Sequence, residues 1–159
     1  MSYSKQMLSL ADEFYKTTGR TTASTREMAR WAITSGKWQR HKDAALKQCA
    51  QDFADALRED YGTDPGTGRR YRKRHVAPVK RGGQMVMQWG DIAKVGREFM
   101  ESAVRLRRNQ CVGDLYQLKQ DVDTYNERFN KGEQILLPLD LTPDVEEQEE
   151  MSKAKKDAA

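Results

Sequence analysis

The sequence predicts a mainly helical α+β protein in which a small β-hairpin interrupts a series of amphipathic helices. Three observations predict it. Apolar residues recur at intervals of three and four along residues 3–61 and again along 92–129, which is the helical period. Between these runs Met85, Met87 and Trp89 alternate with other residues, the period of a half-buried strand. Glycine and proline fall at the joins, most densely in the loop GTDPGTG at 62–68. The expected organisation is a domain at 1–90, a helical extension at 91–132, and an extended acidic segment with a disordered tail at 133–159.

The first helix spans about Tyr3 to Thr18, with Met7, Leu8, Leu10, Ala11, Phe14 and Tyr15 as its apolar stripe and Gly19 as its stop. Ser24 followed three residues later by Glu27 is a capping-box pattern, so a second helix starts there. Met28, Trp31 and Ala32 point inward, with Ile33 as a further candidate, Gly36 ends the helix, and Trp38 covers the turn. A third helix covers about His41 to Tyr61, with Ala45, Leu46, Cys49, Phe53, Ala56, Leu57 and Tyr61 on one face.

The hairpin occupies about Arg69 to Trp89, with Lys80-Arg81-Gly82-Gly83 at its tip and Pro78 marking an edge strand. Helical pattern resumes at Ile92 and reaches Phe129, readable as two helices or as one bent helix, since 105–110 is almost wholly polar and Gly113 weakens the middle. The residues Val112, Leu115, Leu118, Val122 and Tyr125 form a seam that packs on the domain or on a second copy. A short extended apolar piece, ILLPLDL, precedes the acidic end, and the tail MSKAKKDAA reads as disordered.

Charge is the most informative property. Residues 69–81 hold seven Lys or Arg in thirteen positions and no acid, whereas residues 140–150 hold six acids and no base. The net charge of +4 averages over this segregation. A strip this basic is best offset by a phosphate backbone. With 37% hydrophobic residues and a mean hydropathy of −0.92, the core is small. Two distant cysteines on apolar stripes, Cys49 and Cys111, suggest buried thiols in a reducing compartment and a cytoplasmic location. No apolar run approaches the roughly 20 residues of a membrane span, so no membrane partner is expected.

Three short helices followed by a two-stranded hairpin resemble the winged helix-turn-helix DNA-binding superfamily. The likeness covers residues 3–90 and rests on element order, not on a signature. It implies that the third helix enters the major groove and that the hairpin touches the backbone or the minor groove. The implied contacts are Arg69, Arg70, Arg72, Lys73, Arg74, Lys80 and Arg81 on the wing, with His41, Lys42, Lys47 and Gln48 on the helix. The implied function is a non-enzymatic regulator or accessory factor on duplex DNA, although backbone electrostatics do not separate DNA from RNA. The departure is that Asp43, Asp52, Asp55, Glu59 and Asp60 share the third helix, so the wing supplies most of the affinity.

The competing reading is an adaptor module, with residues 92–129 pairing two copies and residues 135–150 adding a strand to a protein partner. Chemistry has little support. His41 and His75 lack ligands at metal spacing, and Gly66-Thr-Gly68 follows a helix and lacks a third glycine. Asp52, Asp55 and Glu59 read as a solvated face, and no Ser-His-Asp or Cys-His set is present locally. Neither a cofactor nor a catalytic residue is expected.

Overall fold

The computed structural model describes residues 3–40 and 43–158. The elements are α1 (Tyr3–Thr18), α2 (Thr25–Thr34), α3 (Ala44–Glu59), β1 (Tyr61–Thr63), β2 (Arg70–Arg72), β3 (Arg74–Arg81), β4 (Gln84–Asp91), α4 (Arg97–Thr124), a π-turn at Tyr125–Phe129, and α5 (Thr142–Asp157). The α+β class is as expected. The chain divides into two compact units, 1–56 and 57–159, with the division inside α3.

In the first unit α1 and α2 pack through Phe14 and Ala32, both buried. The Phe14 ring meets the Trp31 ring edge-on, with centroids 5.7 Å apart. The capping box forms as expected. The Glu27 amide donates to the Ser24 hydroxyl at 3.3 Å, and the Glu27 carboxylate accepts the Ser24 amide at 2.8 Å. That amide, then Arg20 at 2.9 Å, holds the Glu27 carboxyl down at about 2. Trp38 closes the turn by donating its indole N–H to the Tyr3 hydroxyl at 2.9 Å.

The third helix differs from expectation. It runs Ala44–Glu59 instead of to Tyr61, and none of its residues is buried; Leu46 is 74% and Phe53 65% exposed. Leu46, Phe53 and the half-buried Leu57 are its only large aliphatic or aromatic side chains and make a thin stripe. The helix meets its polar needs internally, Gln48 donating to Asp52 and Gln51 to Asp55 at 2.7 and 2.8 Å. Such i,i+4 pairs support a helix without tertiary cover.

The expected single hairpin is two. Arg70–Arg72 pair with Tyr61–Thr63 in a short ribbon, and the long ribbon starts only at Arg74. Gly68 at φ +64° and the Asp64 side chain build the first turn, with Asp64 accepting the Gly66 amide at 3.1 Å and the Thr67 hydroxyl. The long ribbon turns at Gly82-Gly83, φ +55° and +80°, the two-residue type I′ geometry that wants glycine at both places. Its base packs against α4, where Ala77 (0% exposed) and Ala103 are buried. Its distal half, residues 80–87, is exposed throughout, including Met85 and Met87 of the alternating face.

One helix, α4, fills residues 97–124, and Gly113 does not break it. Three of the five seam residues, Val112, Leu118 and Tyr125, are exposed, and Leu115 and Val122 are half-buried. Both cysteines are exposed, not buried, because their stripes are uncovered. After the π-turn, Asn126 holds the apolar segment at both backbone atoms of Ile135, donating to its carbonyl and accepting its amide at 2.9 Å each.

The tail expected to be disordered is helical: α5 runs to Asp157. Its acids lie early and its lysines (Lys153, Lys155, Lys156) late, which complements the helix dipole, and Lys156 donates to the Thr67 carbonyl at 3.0 Å. Among the described residues no helix is long and apolar enough to cross a membrane.

Candidate nucleic-acid interface

The seven basic residues of the strip fall into two groups. Lys73 and Arg74 are neutralised within the fold. Asp60 ion-pairs with Lys73 at 3.6 Å and with Arg74 at 3.0 Å, and Asp91, opposite Arg74 in the ribbon, pairs with it at 3.3 Å. The Arg74 hydrogen bond first, and the Lys73 charge after it, hold the Asp60 carboxyl below its usual range. These contacts fasten the one-residue joint between the two ribbons, where the Lys73 amide also donates to the Asp60 carbonyl at 2.8 Å.

The other five, Arg69, Arg70, Arg72, Lys80 and Arg81, have no ion-paired carboxylate among the described residues. Lys80 and Arg81 sit at the exposed ribbon tip. Arg70 lies 3.9 Å from the Tyr61 ring centroid, and Arg72 donates through Nε to the Tyr61 hydroxyl at 3.2 Å. That bond, reinforced by the charges of Arg72, Arg70 and Arg107, pulls the Tyr61 phenol below its ordinary value. Tyr61 thus orders two guanidiniums that would otherwise repel each other.

Of the helix residues expected to contact nucleic acid, His41 and Lys42 lie outside the described residues. Lys47 and Gln48 are exposed on α3 in the first unit, with Gln48 engaged by Asp52.

The second unit also assembles a pocket that the sequence reading missed. Its cavity, at ≈ 130 Å³, is well below the ~300–1,000 Å³ of sites that enclose a cofactor. Arg58, Arg72, Arg74 and Arg107 line it with His75 and Trp89, and no carboxylate lines it. The Arg58 guanidinium lies 5.8 Å from the Trp89 ring centroid, and His75 Nε2 donates to the Arg72 carbonyl at 3.0 Å. The signal was present: Ala103, Leu106, Arg107 and Gln110 follow the i, i+3, i+4, i+7 spacing of one helical face, and all four line this pocket.

Among the described residues no group of three His, Cys, Asp or Glu is placed to hold a metal ion. Compared with family models, curated proteins and solved structures, the chain matches none.

Proposed function

We propose that this protein binds nucleic acid, duplex DNA foremost, through the basic strip carried on β2 and β3, with α3 as a lesser contact, as a non-enzymatic regulator or accessory factor in the cytoplasm. The observation that carries the reading is the division of the strip. Five of its seven cations have no ion-paired carboxylate among the described residues, and two of these project from an exposed ribbon tip. Cations needed only for folding would be paired as Lys73 and Arg74 are. Helices followed by a protruding basic ribbon support a winged-helix reading, with the ribbon as the wing. The exposed, acid-rich α3 fits a mode in which the backbone is held and bases are little read.

The test is a salt-titrated binding measurement against duplex DNA, single-stranded DNA and structured RNA. The expected result is tightest binding to duplex with a log–log slope of about −0.9 per phosphate contact. A flat slope on all three would overturn the reading.

A second reading, self-association or docking on a protein partner, is favoured by exposed area. The chain exposes 13,623 Å², whereas two separate compact globules of 56 and 103 residues would together expose about 9,700 Å².

A further inference from the structure

We infer that the pocket bounded by β2, β3, β4, the last turn of α3 and α4 is a site for one terminal phosphate monoester, the phosphorylated end of a nucleic-acid strand. The inference rests on the nucleic-acid reading and gives it a second, chemically distinct contact.

Size comes first. At ≈ 130 Å³ the cavity lies well below the ~300–1,000 Å³ of sites that enclose a cofactor or a whole small ligand. It admits a phosphate group and leaves the attached nucleoside outside. An internal phosphodiester carries a sugar on both sides, and a small recess takes a group with one substituent more readily.

Charge comes second. Arg74 is compensated by Asp60 and Asp91, neither of which lines the cavity. Arg72 and Arg107 line it without an ion-paired carboxylate among the described residues. Two uncompensated guanidiniums match a monoester, which carries about −1.5 to −2 at neutral pH, better than a singly charged diester. Arginine is also the side chain whose planar fork meets phosphate oxygens in pairs.

Preorganisation comes third. Arg72 is fixed through Nε by the Tyr61 hydroxyl, which leaves its two terminal amino groups for a ligand. Trp89, with Arg58 over its ring, closes one side of the recess with an aromatic wall and helps keep it the size of a phosphate group.

The experiment compares a linear duplex with 5′-phosphate ends, the same duplex with 5′-hydroxyl ends, and a closed circular duplex, each with and without inorganic phosphate. Wild-type protein should bind the phosphorylated ends at least about tenfold more tightly than the hydroxyl ends, the scale of one charge-assisted hydrogen bond. Inorganic phosphate should erase that preference before it affects the circle. Arg107→Gln, at an exposed helix position, should lose the preference and keep circle binding. Arg107→Lys, which retains charge but not the fork, should recover only part of it. Equal affinity for the two kinds of end overturns the inference and leaves the nucleic-acid reading standing. Failure to bind the circle and both linear duplexes, with inorganic phosphate still bound in an Arg107-dependent manner, overturns the nucleic-acid reading and relocates the pocket to small phosphomonoesters. Preference unaltered in both Arg107 variants also overturns the assignment.

Discussion

Gly90→Ala should loosen the long ribbon from α4, and the structure sets the scale. A Cβ at this position would lie 2.3 Å from Val95 Cγ1 and 3.2 Å from Phe99 Cζ. Carbon atoms in ordinary contact are ~3.5–4.0 Å apart, so Val95 would have to retreat by more than about 1 Å. It is poorly placed to do so. The Val95 and Lys94 amides both donate to the Asp91 carbonyl, at 3.0 and 2.9 Å, and Asp91 Oδ1 accepts the Ala93 amide at 2.9 Å. The valine side chain is also stiff at χ1. Overpacking of this kind costs about 1–3 kcal/mol. Hydrogen exchange at the amides of residues 74–91 reads that loss locally, whatever the rest of the chain does. Val95→Ala in the Gly90→Ala background removes the offending methyl and should restore most of the protection. Wild-type exchange in the single variant, or no recovery in the double, would refute the close approach.

Replacing Arg72, Lys80 and Arg81 by Ala should flatten the salt slope on duplex DNA by up to about 2.7, at about 0.9 for each lost phosphate contact. Replacing Lys73 and Arg74 should instead lower stability and leave the slope nearly unchanged, because Asp60 and Asp91 already hold them. Ser24→Ala should cost α2 about 1 kcal/mol, read by thermal melting. The Glu27 carboxyl titrates at about 2 when folded and near 4.5 otherwise, a depressed value, so its contribution is complete above 4.5 and fades as pH falls toward 2. The gap between wild type and Glu27→Gln should therefore narrow over that window and stay constant at higher pH. Neutralising Asp144, Glu146, Glu147, Glu149 and Glu150 should tighten low-salt binding to random duplex. Two of these acids share a cleft with Arg108, and the effect should fade as salt shortens the ~8 Å screening length. Unchanged low-salt affinity would free the acidic face for another partner.

What the sequence disclosed follows from how local each signal is. The Ser24/Glu27 cap, the Gly82-Gly83 tip and the start and stop of α1 are each specified within a few residues, and they appear where expected. The β1 strand was missed because it is three residues long, and because Tyr61 lies four residues after Leu57 and so continues the period of α3. In α5 the low hydropathy argued for disorder, but the order of its charges, acid before base, is a helix signal that composition does not carry. The strip's positive charge was plain, whereas its division into paired and unpaired cations was not. That division depends on Asp60 and Asp91, which lie nine residues before the strip and ten after it and meet it only through the fold.

Helical periodicity locates a stripe without saying what covers it, and this bears directly on α4. Leu118 is 46% exposed, and Val112 and Tyr125 are similarly open, so within a single chain the seam gains little from its spacing. A second copy is one cover that such a stripe admits, and buried area alone sets no affinity, because lost free motion and side-chain ordering offset the apolar gain. Leu118→Asp should therefore leave helix content and melting of the isolated chain near wild type, since the carboxylate stays in water. The same change should abolish any self-association seen by sedimentation. Wild-type protein that remains monomeric as its concentration is raised would remove the second copy as the cover for this face.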